Sequence, residues 1–212
     1  MPQANRPFLF SITGGIASGK STFARMLMRL GLKIIDTDMI THTILDSDMI
    51  RDKLTERWGK GIIRDNKLDR KAIGDIVFND SVELRTLNDL LHPMIIRTMK
   101  ELIDDCEEQH LGFEIPLLFE TGLNQYFDLN ILVTALVETR IQRLISKGLN
   151  EEEAVRRIGS QMDETEKCKN ADIIIQADSD LSFLEKEALR TYNLIQHSSK
   201  RDIPDLSTYH RE

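Results

Sequence analysis

Gly14, Gly19, Lys20 and Ser21 fall at the spacing G-x-x-x-x-G-K-S/T, and the chemistry that this spacing predicts is phosphate binding. Glycines permit the backbone angles that turn successive N–H groups inward into a concave anion nest. A helix opening near Lys20 points its positive end at the same phosphates. Lys20 adds a full charge between the β- and γ-phosphates of a nucleotide. Ser21 adds a hydroxyl for Mg²⁺, an ion that prefers oxygen ligands. The whole run Gly14-Gly15-Ile16-Ala17-Ser18-Gly19-Lys20-Ser21-Thr22 is therefore the candidate ATP site, with Ser21 as the metal ligand.

The elements that must position this loop are legible on either side of it. Phe8-Leu9-Phe10-Ser11-Ile12 reads as a short buried strand. Phe23, Met26, Leu27 and Leu30 recur at i, i+3, i+4 and i+7, one face of a helix that Gly31 ends. Lys33-Ile34-Ile35 reads as a second strand and runs into Asp36-Thr37-Asp38. Strand, helix and strand in so short a span make a βαβ unit, hence a parallel sheet with a right-handed crossover. From about residue 41 to 110 the pattern is mostly helical, with Asp69 a candidate N-cap and Trp58 an anchor for the helical core. Pro93 predicts a kink or a new helix start, because it lacks an N–H and clashes with the preceding turn. Strand patterns return at Leu111–Ile115, Leu129–Val133 and Ala171–Ile175. Asn150 with Glu153 predicts a capping box, and a helix over about 180–196 is followed by a polar, frayed tail.

Composition narrows the class. Of 212 residues, 41% are apolar and 30% charged, ordinary for a soluble globular protein and unlike disordered or fibrous chains. A formal net charge of −7 disfavours a nucleic-acid partner. Two widely spaced cysteines, Cys106 and Cys168, read as free thiols in a reducing cytosol. No membrane span or signal peptide is expected, so the location expected is cytoplasmic. A GTP-dependent switch is set aside on the expectation that the Asn-Lys-x-Asp run which reads guanine is missing. Leu111-Gly112-Phe113-Glu114 is a poor match to the apolar run before Asp of motor and transport ATPases. Asp36, at the end of the second strand, reads as the acid that orients an acceptor hydroxyl; the plainer reading makes Asp36 and Asp38 caps of the next helix.

Beyond the loop, the chain resembles the dephospho-coenzyme A kinases. The resemblance runs in order through Ile35-Asp36-Thr37-Asp38, Leu68-Asp69-Arg70, Val77-Phe78, Leu91-His92-Pro93 and Ile115-Pro116-Leu117-Leu118-Phe119-Glu120. It continues in Arg143-Leu144, Arg157-Ile158-Gly159-Ser160-Gln161, Glu166-Lys167 and Ala171-Asp172. The run from Pro116 to Glu120 is more specific than the loop itself. The resemblance implies an α/β P-loop NTPase fold with a three-layer parallel sheet, an inserted helical substrate domain and a small helical lid. The boundaries expected are residues 1–40, 111–138 and 166–200 for the core, 41–110 for the substrate domain, 139–165 for the lid and 201–212 for a polar tail. The reaction implied is ATP-dependent phosphorylation of the ribose 3′-hydroxyl of dephospho-CoA. The partners are ATP and dephospho-CoA, with Mg²⁺ as cofactor. Another small-molecule kinase, of nucleoside monophosphate or shikimate type, is the alternative; a slowly hydrolysing switch module is a third.

The same resemblance assigns roles. Lys20, Asp36, Arg143 and Arg157 are the candidate catalytic residues, and Arg140 joins the loop in holding ATP. Asp36, Arg70, His92, Pro116 and Leu117 are the candidate acceptor contacts; surface ion pairing for Arg70 and a helix start at His92 are the plainer alternatives. Arg140, Arg143 and Lys147 lie at i, i+3 and i+7 and predict one basic helical stripe. Phe78, Leu117, Leu118 and Phe119 read as packing, with an apolar wall beside the pantetheine arm as the other reading. Ala17 stands where the family commonly has glycine, a change of little consequence if its φ is negative. Glu114 stands where Asp is frequent, Lys147 near an expected lid Arg, and Arg97 one position later than the Arg that often follows His-Pro.

Overall fold

The computed structural model describes residues 6–77, 80–178 and 180–209; of the expected sites and packing positions, Phe78 lies outside them, as do the outer ends of the expected core and tail. Among the described residues a five-stranded sheet holds β1 (Phe8–Thr13), β2 (Lys33–Asp36), β5 (His110–Glu114), β6 (Leu129–Thr134) and β7 (Ile173–Gln176), in the order β2-β5-β1-β6-β7. Every pairing in it is parallel. All five carboxyl ends therefore share one edge. The chain leaves β1 for one side of the sheet and later crosses to the other, so the loop after β1 opens at a switch point, where α/β sheets bind ligands.

Helix α1 (Lys20–Arg29) follows that loop, and α9 (Leu181–His197) packs beside it. Phe8, Phe10 and Ile12 of β1, Phe23 and Leu27 of α1, Ile131 and Val133 of β6 and Leu184, Ala188 and Ile195 of α9 form one buried cluster. Gly112 of β5 faces Phe10, and a Cβ there would lie 2.3 Å from the phenyl ring. A side chain at 112 would push β1 and β5 apart directly below the phosphate loop.

Contacts divide the chain into two units. One comprises the described residues up to 36 and from 103 onward; the other is Thr37–Leu102. The second unit holds α2 (Thr37–Leu45), α3 (Asp48–Trp58), the hairpin β3 (Ile63–Arg64) and β4 (Lys67–Leu68), α4 (Arg70–Val77) and nearly all of α5 (Ser81–Asp104). Ile50, Leu54, Ile62, Ile73, Val77 and Leu91 are buried in it. Trp58 is half-buried, and its indole N–H donates to Glu83 at 2.7 Å. Asp69 caps α4, accepting from the N–H groups of Lys71 and Ala72.

Two expectations for this segment and one for the tail are corrected. Pro93 lies inside the continuous helix α5, with no new start at His92. The segment is mostly helical, and within it Asp65 and Asn66, both at positive φ, turn the β3–β4 hairpin. Asn66-Lys67-Leu68-Asp69 does carry the Asn-Lys-x-Asp spacing, but on this two-stranded hairpin and a helix cap, not after a strand of the parallel sheet. Through Tyr209 the tail is docked, not frayed. Ile203 and Leu206 are buried, and the Tyr209 hydroxyl donates to the Thr121 carbonyl at 2.8 Å.

The first unit also holds α6 (Val137–Ile145), α7 (Glu151–Gly159) and α8 (Glu164–Asn170). Asn150 caps α7 by accepting from Glu153 N–H at 2.8 Å. Among the described residues no helix is long and apolar enough to cross a membrane.

Asp128, at the entry to β6, ties three segments together. Its side chain is fully buried and accepts from both arms of Arg6 and from the Leu9 and Arg201 N–H groups. Asp128→Ala leaves the Arg6 guanidinium only the Pro7 and Arg201 carbonyls and strands two backbone donors. The expected loss is about 3 kcal/mol of folding free energy, read as a lower urea midpoint at unchanged slope. A loss under about 1 kcal/mol would show that water replaces the carboxylate.

Candidate active site

The phosphate loop is shaped by its glycines and by what leans on them. A Cβ at Gly14 would lie 2.2 Å from the Val133 carbonyl oxygen, and one at Gly15 2.3 Å from an Arg140 guanidinium nitrogen. Gly19 has φ +104, a conformation that L side chains rarely adopt. Ser18 N–H donates to the Gly15 carbonyl at 3.1 Å, closing a turn with Ile16 and Ala17 at its tip. Ala17 has φ 60, so the condition under which alanine would matter little there, a negative φ, is not met. Its methyl brings a cost of roughly 1–2 kcal/mol that glycine avoids.

Helix α1 opens at Lys20 behind Gly19, with no side-chain cap and no acid in its first turn. Its unpaired N–H groups and positive end are left to the loop. Lys20 Nζ lies 2.6 Å from Glu114 Oε1, and the Ser21 hydroxyl donates to the same oxygen at 2.5 Å. Thr22 follows on the first turn, its hydroxyl accepting from Arg25 at 3.3 Å.

Glu114 is the last residue of β5, in register with Ile12 of β1 and Asp36 of β2. Two carboxylates thus end adjacent strands, with the strands roughly 4.8 Å apart. Asp36 closes β2 and α2 begins at the next residue, so its backbone is held by regular structure on both sides. Ser21 Oγ and Glu114 Oε1 are hard oxygen donors in mutual contact. That donor set fits Mg²⁺, which takes one or two protein oxygens beside substrate phosphates and water.

The basic residues do not form a solvated stripe. Arg140 is 3% exposed, with Nε on the Ile16 carbonyl at 2.9 Å and one arm on Glu164 at 3.1 Å. Arg143 is half-buried and donates to the carbonyls of Ala17, Ser18 and Ala177. Lys147 lies beyond the end of α6, because Gly148 takes φ +96 and turns the chain. Arg157 pairs with Glu153 one turn back on α7, at 2.6 Å and half-exposed. Gln161, absent from the expected site, accepts from the Ile16 N–H at 2.8 Å. Its position was signalled only by the run Arg157-Ile158-Gly159-Ser160-Gln161.

After β5, Leu118 and Phe119 are buried, as packing requires. Pro116 is half-buried and its carbonyl meets the Thr13 hydroxyl at 3.5 Å, while Leu117 is 47% exposed, so its packing reading is corrected. Glu120 pairs with Lys167, a lysine only 1% exposed, at 2.8 Å. In the second unit Arg70 pairs with Asp46 at 3.3 Å, and His92 lies within α5.

A parallel sheet with a glycine phosphate loop after its central strand, a lysine and hydroxyl on the first helical turn and an acid closing the second strand defines a P-loop small-molecule kinase. The family model of dephospho-CoA kinase matches residues 8–182. The dephospho-CoA kinase of Fusobacterium nucleatum is 34% identical over 184 residues, 86% of this chain and 95% of that one. Among solved structures, TT1252 from Thermus thermophilus aligns with a TM-score of 0.81 at 30% identity, covering 92% of this chain and 100% of that one. The dephospho-CoA kinase from Campylobacter jejuni aligns with a TM-score of 0.69 at 31% identity, covering 89% and 97%. The chain belongs to the dephospho-CoA kinase family.

Proposed function

We propose how this chain carries out the reaction of its family, transfer of the γ-phosphoryl group of ATP to the ribose 3′-hydroxyl of dephospho-CoA to give coenzyme A and ADP. The observation that carries the reading is the convergence of Lys20 and Ser21 on Glu114, with Asp36 ending the neighbouring strand. The loop from Gly14 to Thr22 and the open end of α1 cradle the phosphates through amides other than those of Ile16, Ser18 and Thr22, which donate to Gln161, Gly15 and Gly19, and Lys20 exchanges the Glu114 carboxylate for them. Ser21 and Glu114 would hold Mg²⁺, whose charge offsets that of the β- and γ-phosphates when it is bound.

Asp36 accepts a hydrogen bond from the 3′-hydroxyl and takes its proton as the new O–P bond forms. The bond from the γ-phosphorus to the bridging oxygen breaks, and ADP leaves. The transition state is loose, so the acceptor needs orienting more than strong deprotonation. Pro116 and the exposed Leu117 supply an apolar wall on the acceptor side. Arg70 and His92, in the helical unit of residues 37–102, take the rest of the acceptor. Helices α6 and α7 act as the lid. The free thiols Cys106 and Cys168 suit a reducing cytosol.

The product tests this division. With dephospho-CoA and γ-labelled ATP, the label is expected on the ribose 3′-oxygen; label found on the pantetheine hydroxyl or released as phosphate counts against it. Arg143 and Arg157 are proposed to meet the transferring phosphoryl group, Arg143 from beside the loop and Arg157 from the lid. Arg157→Ala is expected to cost under about 0.5 kcal/mol of stability, as a half-exposed pair on one helix. It is also expected to lower kcat by roughly 10³-fold, the scale of a transition-state arginine. A variant with both stability and kcat unchanged leaves Arg157 as surface pairing only.

A further inference from the structure

The tip of the phosphate loop is held from outside the loop. The Ile16 N–H donates to Gln161 Oε1 at 2.8 Å, and the Ile16 carbonyl accepts from Arg140 Nε at 2.9 Å. Arg140 also donates to that same glutamine oxygen, at 3.2 Å, so the three groups close a ring. The remaining arm of Arg140 lies on Glu164, which is hydrogen-bonded to the hydroxyl of Thr134, the last residue of β6. The ring is thereby anchored to the sheet. Gly15 makes room for it, since a Cβ at 15 would lie 2.3 Å from the guanidinium. Arg143 holds the next two carbonyls, of Ala17 and Ser18, at 3.1 and 3.0 Å. The residue between these bonds is Ala17, whose φ of 60 its methyl resists.

We infer that Gln161 and Arg140 are positioning residues for ATP: they hold the Ile16-Ala17 peptide in its left-handed turn, so that the triphosphate meets a nest already formed. The inference rests on the reading of this loop as the ATP site. Without the brace, the Ala17 methyl lets the loop leave that turn, and apparent affinity falls with the fraction of loops still competent. With glycine at 17 the turn carries no methyl penalty, so the brace matters less. A side chain that touches the nucleotide directly behaves otherwise, because its loss weakens binding equally whatever residue occupies position 17.

The test is a double-mutant cycle read by calorimetric titration of Mg-ATP into the full chain. Gln161→Ala is expected to raise Kd about fivefold beside Ala17, the scale of one lost hydrogen bond. The same change is expected to raise it less than about twofold in the Ala17→Gly background. The ratio of the two effects is what is read, whatever Ala17→Gly does alone. Gln161→Met keeps the length without the acceptor oxygen and is expected to follow the same pattern, so the cycle stands if the alanine variant folds poorly. Equal losses in both backgrounds overturn the inference and make Gln161 a direct nucleotide contact. No loss beside Ala17 overturns it as well. If the parent chain fails to bind Mg-ATP, the reading of the loop itself is what fails.

Discussion

Asp36→Asn is expected to bind ATP about as the parent chain does and to lower kcat by roughly 10²–10⁴-fold, the range for loss of a positioned base. Asparagine keeps the shape of the side chain, and β2 and α2 keep the backbone in place. What is lost is an acceptor strong enough to orient the hydroxyl and receive its proton. The phosphate-binding groups lie on the β1–α1 loop and at Glu114, whereas Asp36 ends the neighbouring strand β2. Binding and rate should therefore separate. Calorimetry with ATP and initial rates with dephospho-CoA measure the two. Unchanged turnover removes Asp36 from the mechanism and leaves it as a helix-start residue.

Lys20→Ala should fail to separate them. The Lys20 ammonium lies 2.6 Å from a Glu114 carboxylate whose side chain is 8% exposed. Removing the lysine takes away a charge that the phosphates would use and leaves a buried carboxylate facing them. Both effects raise the cost of binding the triphosphate, and the loss grows as charge develops on the transferring group. The expected outcome is a rise in KM for ATP of at least about tenfold, with kcat/KM lower by roughly 10³-fold or more. Initial rates across ATP at saturating dephospho-CoA check this. An unchanged KM for ATP would mean that Lys20 serves only to neutralise Glu114.

The parts of the molecule that were legible in the sequence are those set by short-range rules. Apolar periodicity marks β1, α1 and the βαβ unit, and the caps at Asp69 and Asn150 are where side-chain oxygens meet orphan N–H groups. What was not legible depends on partners far away in sequence. Arg140 looks like a surface cation by spacing, yet its guanidinium lies on the Ile16 carbonyl 124 positions earlier. Lys147 shares the arithmetic of a helical stripe but falls past a helix that Gly148 ends at φ +96. The tail is rich in charge, so its composition suggests fraying. Two apolar residues, Ile203 and Leu206, and the Tyr209 hydroxyl are enough to dock it. The consequence of Ala17 hangs on the sign of its φ, which is not written in residue type; here the backbone stands at φ 60. Pro93 passes within α5 because tertiary packing can outweigh one lost helical hydrogen bond.

The most direct test is ADP release measured with one acceptor at a time: dephospho-CoA, AMP, shikimate, and none. The result expected is release that depends on dephospho-CoA and stays near background with the others. Release that needs AMP or shikimate instead, or that proceeds equally with no acceptor, would contradict the assignment of Asp36 and the Pro116–Leu117 turn to dephospho-CoA.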